Sequence, residues 1–390
     1  MEKLIDRSEL AERVALALRR SPVATLLGPR QCGKTTLARK IAAQRGATWF
    51  DLEDPRSARR LEEPMTALES LTGLVVIDEA QLQPALFPVL RVLADRKPLP
   101  ARFLLLGSAS PDLMRDTAET LAGRVELVEM TGFSLAEAGP AGMRSLWLRG
   151  GFPRSWLAED DDASTAWREN FIQTFLERDL RRFGVQVPAT TLRRFWSMVA
   201  HYHGQIWNAS ELGRSLGEAH TTVKRHLEIL TGALVVRQLP PWFENLGKRQ
   251  VKSPKIYLRD SGLLHSLLGL VSWDELESHP KLGAAWEGFA LEEILRVTGG
   301  RDAYFWATQS GAELDLLLFW RGRRVGVEFK YGDAPGLTKS MMIAREDLKL
   351  DRLLVVYPGR ERISLRENVE VVPLAEMPAI LRSMRPVRGG

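Results

Sequence analysis

The chain of 390 residues carries 54 Lys and Arg against 49 Asp and Glu, a net charge of +5, and is 45% hydrophobic. That is the balance of a globular protein with room for two or three cores, and its mild basicity permits a nucleic-acid partner without requiring one. A single cysteine excludes an intramolecular disulfide and a cysteine-based metal cluster; no apolar run reaches bilayer-crossing length, and no basic-then-apolar leader follows Glu2, so the cytoplasm is the expected location and no membrane partner is expected.

Residues 8–20 place Leu10, Val14, Ala17 and Leu18 at helical spacing, with Ser8 as the N-cap. An apolar strand over 23–27 breaks at Gly28, and the chain re-enters a helix near Lys34 and Thr35, giving the pattern G-x-x-x-x-G-K-[ST]. The loop is Gly28, Pro29, Arg30, Gln31, Cys32, Gly33, Lys34, Thr35 and Thr36. Its two glycines allow a tight turn in which successive N–H groups face inward as an anion nest. The helix start adds the positive end of its dipole, Lys34 a mobile cation for β- and γ-phosphates, and Thr35 a hydroxyl ligand for Mg²⁺. This is the chemistry of a nucleoside triphosphate site, with ATP and Mg²⁺ as the expected cofactors. Cys32 falls inside the nest, so alkylating it, where the thiol is accessible, is expected to obstruct ATP. Arg30 is a further cation for the phosphates or, equally, half of a surface ion pair.

A second strand over 48–52 and a charged helical segment over 55–71 lead to the apolar run 74–77, which ends in Asp78 and Glu79. A buried parallel strand ending in two acids supplies one carboxylate for the Mg²⁺ shell, Asp78, and one to polarise the attacking water, Glu79. A helix over 84–94, a strand over 103–106 and a fifth strand near 125–130 follow. Strands separated by helices argue for a parallel sheet covered on both faces. Arg124, just before the fifth strand, is placed to stabilise transition-state charge in cis or from a neighbour, or to form a surface ion pair; the residues alone favour neither.

From Gly132 the pattern turns helical, punctuated at 150–153. Over 167–183 an aromatic stripe of Trp167, Phe171 and Phe175 reads as core packing and meets Glu177-Arg-Asp179. Residues 192–239 have the outline of a winged helix: helices over 192–202, 208–216 capped by Ser210, and 220–230, with 235–236 and 256–258 as the wing. Thr221, Thr222, Lys224 and Arg225 lie where a DNA-reading helix presents side chains, and basic residues recur through this region to Lys248 and Lys255. Winged helices also serve as lids and protein-binding modules, so DNA and a protein partner stand as alternatives.

Beyond Pro280 an amphipathic helix over 286–295 carries Glu287, and strands over 311–318 and 324–330 form a hairpin turning at Arg321-Gly322. Side chains repeat every second residue along a strand, so Glu313 and Asp315 share a face, as do Glu328 and Lys330. Glu287, Asp315, Glu328 and Lys330 are the groups a Mg²⁺-dependent phosphodiesterase uses, a second metal site. The alternative is a solvent-facing sheet edge with cross-strand ion pairs.

The hairpin pattern looks like the catalytic core of the restriction-endonuclease-like superfamily. Taken in order, residues 28–35, 75–80, 150–153, 177–179, 255–262 and the hairpin resemble a widespread prokaryotic family of AAA-type ATPases that carry a C-terminal domain of unknown function with such a core. The resemblance implies an α/β fold: an N-terminal P-loop ATPase parallel sheet with helices on both faces, a helical and winged-helix region, and a C-terminal α/β restriction-endonuclease-like domain. The expected divisions are 1–135, 136–190, 191–270 and 271–390. It also implies that the fourth strand lies beside the P-loop strand, with Ser108 or Ser110 at its end sensing the γ-phosphate; an N-cap ahead of Pro111 is the alternative for either serine. No second sensor arginine is found in the helical part, and the oligomeric state stays open. The expected function is Mg²⁺-dependent ATP hydrolysis controlling a nuclease-like module on DNA. The alternative is a nucleotide-dependent switch that binds a protein partner, its nuclease-like domain inactive.

Overall fold

The computed structural model describes residues 5–108, 119–182, 187–244, 250–333 and 335–386; Ser110, Phe183 and Lys248 lie outside the described residues. The chain forms two compact units, one of Met1–Phe133, Asp179–Val185 and Glu228–Val235, the other of Ser134–Arg178, Gln186–Leu227 and Val236–Gly390.

The first unit is built on five strands, β1 (Val23–Gly28), β2 (Ala47–Asp51), β3 (Gly73–Asp78), β4 (Ala101–Ser108) and β5 (Val125–Glu129), in the order β2-β3-β4-β1-β5. All neighbours are parallel, and β4 lies beside β1. Every residue of β1 is buried, and β3 and β4 are nearly so, as strands covered on both faces must be. Helix α1 (Ser8–Arg20) lies against β1 and β5, and α2 (Lys34–Arg45) against β1 and β3. Phe50, Leu68, Ile77, Phe87, Leu90 and Phe103 belong to one core cluster; each such side chain contributes about 1.5–3 kcal/mol by leaving water. Because the strands are parallel, their C-terminal ends share one edge of the sheet, which collects the loop after β1, Asp78 and Ser108.

Local chemistry moves some expected boundaries. The 55–71 segment is two short helices, α3 (Pro55–Arg60) and α4 (Pro64–Leu68), because Pro64 has no N–H to continue a helix and instead opens a new one. Ser8 is the first residue inside α1; the cap position is Arg7, which makes no side-chain cap. Helix α5 (Leu86–Ala94) completes the layer.

In the second unit, α6 (Met143–Arg149) precedes α7 (Asp161–Thr174), which runs into a π-helical turn over Phe175–Asp179. Three helices follow, α8 (Ala189–His201), α9 (Ala209–Leu216) and α10 (His220–Gly232), the last belonging to the first unit from Glu228 onward. They accompany an antiparallel sheet of order β6-β8-β7, from Gln205–Ile206, Lys255–Leu258 and Val236–Leu239. Asn208 caps α9 in place of Ser210: its extended backbone lets its side chain accept from the Glu211 N–H at 3.2 Å. Helix α11 (Ser261–Leu268) is capped by half-buried Asp260, which also accepts from the Gly151 N–H at 2.8 Å. Arg168, wholly buried, donates to the Gly262 carbonyl at 2.9 Å. The 150–153 punctuation and the end of the 255–262 motif are thus one interlocked structure.

A six-stranded mixed sheet closes the chain, in the order β13-β14-β12-β11-β10-β9. The strands are β9 (Ala303–Ala307), β10 (Glu313–Trp320), β11 (Arg323–Phe329), β12 (Arg352–Tyr357), β13 (Ile363–Arg366) and β14 (Val369–Pro373). Arg321 and Gly322 both have positive φ, 52° and 77°, the twist-matched turn that a two-residue hairpin favours. Helix α12 (Leu282–Thr298), longer than its predicted 286–295, packs on β10 and β11, and α13 (Lys339–Asp347) packs on β10. Among the described residues no helix is long and apolar enough to cross a membrane.

Candidate nucleotide site and acidic cluster

The loop between β1 and α2 uses its two glycines differently. Gly33 has φ of 100°, a conformation L side chains rarely adopt, whereas Gly28 is needed for space: a Cβ there would sit 2.0 Å from the Met130 carbonyl oxygen and 2.9 Å from Cys32 Sγ. Arg7 holds the loop from behind, donating to the carbonyls of Cys32 (3.2 Å), Thr131 (3.2 Å) and Gly132 (3.1 Å). Cys32 is fully buried with its Sγ 3.6 Å from the Met130 carbonyl. The thiol therefore packs under the loop, so the access on which obstruction by alkylation depends is closed in the folded chain.

Lys34 is buried and donates to the Gly28 and Pro29 carbonyls at 3.0 and 2.9 Å. The next residue reaches the other half of the motif: the Thr35 hydroxyl donates to Asp78 Oδ2 at 2.9 Å, and the Glu79 N–H to Asp78 Oδ1 at 3.0 Å. Burial pushes the Asp78 carboxyl up from its ordinary value, the Thr35 hydrogen bond opposes this, and the Glu79 and Asp51 charges add to it. A hydroxyl and a desolvated carboxylate sharing one point are an oxygen donor set that gains from a hard divalent cation, so these residues fit Mg²⁺. Glu79 itself has φ of 54°, a left-handed backbone uncommon outside glycine, and accepts from the Gln81 amide. Ser108 faces Gly28 in the β4–β1 register; its buried hydroxyl has no hydrogen-bond partner among the described residues. Thr36 is exposed and Gln31 lies at the loop's surface.

Two arginines are held by carboxylates. Arg30 donates to Asp179 at 2.7 Å and to Glu53 at 3.0 Å. Burial alone would depress its pKa, but the Asp179 carboxylate, then Glu53 and Glu79, outweigh burial and raise it. Arg124 forms a two-pronged pair with Asp95, at 2.7 and 2.8 Å, and its carbonyl accepts from the Val23 N–H, at the first residue of β1. The phosphate loop follows the last residue of that six-residue strand. At about 3.3 Å per residue, Arg124 lies roughly 15–20 Å away at the opposite edge of the sheet, which removes the role in cis.

In the second unit Glu287 of α12, Asp315 of β10, and Glu328 and Lys330 at the end of β11 come together. The ladder pairs Leu316 with Val327, so Asp315 and Glu328 occupy the next opposed positions. Lys330 pairs with Glu328 at 3.2 Å, and the Phe329 N–H donates to Asp315 Oδ2 at 3.1 Å. Two residues the sequence reasoning left out of this group complete it. Lys255 of β8, 2% exposed, lies 3.2 Å from Glu287 and 3.3 Å from Asp315, and also pairs with Glu313; the Tyr257 hydroxyl donates to Glu287 at 2.5 Å. Their spacing of two on one strand was the available signal. Burial, then the Asp315 charge, lifts Glu287 to about 7 and Glu328 to about 8. Burial opposes the Lys255 charge, but the acidic groups around it hold its pKa well above the lysine range. Among the described residues no group of three or more His, Cys, Asp or Glu is arranged to hold a metal ion.

The five-stranded parallel sheet with β4 beside β1, and the loop brought to Asp78, define an AAA-type P-loop ATPase. A family model of an AAA domain matches residues 20–139, and models of two domains of unknown function, DUF8612 and DUF4143, match 141–274 and 282–377. The fold is similar to that of the Walker-type ATPase PABY2304 of Pyrococcus abyssi, at 16% identity and a TM-score of 0.52, over 68% of this chain and 97% of that one. The chain is 54% identical over 370 residues to "Uncharacterized protein Rv2008c" of Mycobacterium tuberculosis and to "Uncharacterized protein Mb2031c" of Mycobacterium bovis, covering 95% of this chain and 84% of each relative. It belongs to the family of these two proteins, and its own AAA domain supports nucleotide binding and hydrolysis.

Proposed function

We propose that the protein hydrolyses ATP with Mg²⁺, using Lys34, Thr35, Asp78 and Glu79. The 2.9 Å hydrogen bond between Thr35 and Asp78 carries this reading, because it joins two motifs 43 residues apart through the two oxygen donors Mg²⁺ needs. Thr35 and Asp78 would hold Mg²⁺, which supplies charge neutralisation at the phosphates when bound. Lys34 offsets charge on the γ-phosphate, Glu79 orients and polarises the water for in-line attack, and the partnerless Ser108 hydroxyl donates to the γ-phosphate. Lys34→Ala is expected to abolish nucleotide binding or turnover, and Glu79→Gln to keep binding while losing about 10²–10⁴ in kcat. Unchanged turnover in both purified variants would defeat the assignment.

In this reading the ATP cycle controls the remaining domains, with 191–270 as a winged helix, 271–390 as a restriction-endonuclease-like domain and DNA as the target. One observation favours the second reading, a nucleotide-dependent switch that binds a protein partner: the acidic cluster of the nuclease-like pattern already encloses a lysine ammonium. Incubation with plasmid DNA and Mg²⁺ or Mn²⁺ separates the two. Cleavage lost in Asp315→Ala and Lys330→Ala supports the nuclease, and no cleavage supports the switch.

A further inference from the structure

Within the second unit, each carboxylate that the nuclease-like pattern would offer to a divalent cation already faces a donor of the chain. Lys255 Nζ lies 3.2 Å from Glu287 Oε1 and 3.3 Å from Asp315 Oδ1. The same Glu287 oxygen accepts from the Tyr257 hydroxyl, the second Asp315 oxygen accepts from the Phe329 N–H, and Glu328 pairs with Lys330. Hard divalent cations need several oxygen lone pairs directed at one point, at about 2.0–2.6 Å. Here an ammonium with three N–H donors sits at the point where the Glu287 and Asp315 oxygens converge, and a second cation placed there would meet its charge in a desolvated site.

The position of Lys255 is set by the fold rather than by side-chain reach. It opens β8, a strand buried along its whole length between β6 and β7, and it pairs with Leu239 and Ile206 in register. The β8 backbone therefore holds the ammonium stem, and α12 and β10 bring the carboxylates to it.

We propose that Lys255 is the built-in cation of this cluster, closing the acidic centre of the C-terminal domain to divalent metal and serving as the counter-charge between Glu287 and Asp315 in its place. The lysine makes the cluster a fixed, metal-independent element that ties β8 to α12 and β10. The inference deepens the switch reading above and is independent of nucleotide turnover.

The test is a Mn²⁺ titration of the full chain without nucleotide, following the free-ion electron paramagnetic resonance signal. Wild type and Asp315→Asn are expected to titrate identically. Lys255→Met is expected to gain a single additional Mn²⁺, lost again in Lys255→Met/Asp315→Asn. Wild-type binding that Asp315→Asn removes would overturn the proposal, as would a folded Lys255→Met that gains nothing. Should Lys255→Met fail to fold by circular dichroism, the comparison of wild type with Asp315→Asn decides alone. Failure to cleave DNA bears on the switch reading, whereas metal uptake bears on Lys255.

Discussion

Arg30 of the phosphate loop and Asp179, 149 residues further along the chain, form an ion pair of 2.7 Å in which the aspartate is almost wholly buried. Arg30 sits two residues after Gly28 and four before Lys34. Whatever holds its guanidinium also holds the backbone that has to cradle phosphate. Asp179 closes a π-helical turn, a distortion often found where function needs a residue displaced from helical phase. The phosphate loop is thereby tethered to a segment outside the sheet.

Asp179→Asn is therefore expected to raise the KM for ATP about tenfold, the equivalent of losing about 1.4 kcal/mol from a charge-assisted hydrogen bond, with a smaller change in kcat. The exchange Arg30→Asp with Asp179→Arg should recover part of the loss. Steady-state kinetics of the single variants and the exchanged pair check this. A pair that acts only on global stability would lower kcat and the active fraction together and leave KM unchanged.

Cys32 gives a second expectation, which concerns access to the thiol. Its thiol is fully buried against the Met130 carbonyl, so a maleimide reaches it only after local opening. If opening costs about 3 kcal/mol, native labelling is slower than labelling in denaturant by about two orders of magnitude. Mass spectrometry of timed aliquots measures both rates. Rapid native labelling would show that the loop exposes its underside.

These two residues show how far the sequence could be read. Local signals placed the five strands, because buried parallel strands are apolar runs closed by turn residues, and the chemistry of phosphate and Mg²⁺ predicted that Thr35 and Asp78 should meet. Choosing between the two roles open to Arg124 needed one geometric step: in a parallel sheet, a residue preceding β5 and a loop following β1 belong to opposite edges. The partner of Arg30 was beyond reach, since an ion pair across 149 residues leaves no periodicity. Lys255 and Tyr257 were visible as a polar face on an apolar strand, but nothing local tells which helix that face meets.

Glu292 supplies a prediction in pH. It is buried on α12, paired with Arg237 and 3.2 Å from Arg259 Nε. Burial by itself would raise its pKa, but the Arg237 and Arg259 charges outweigh burial and bring it down from 4.5 to about 2. Because the folded value lies below the unfolded one, the stabilisation is full above about pH 4.5 and is lost as pH falls toward 2. A shift of this size corresponds to something on the order of 3 kcal/mol. Glu292→Gln removes the charge both guanidiniums face, and the cost at neutral pH is expected to be about 3–5 kcal/mol, as for other broken buried pairs. Urea denaturation of wild type and Glu292→Gln from pH 7 down to pH 2 checks the sign as well as the size. The gap between their midpoints should be widest at pH 5 to 7 and shrink steadily below pH 4.5; a gap that stays constant with pH would mean that Glu292 acts through packing and not through its charge.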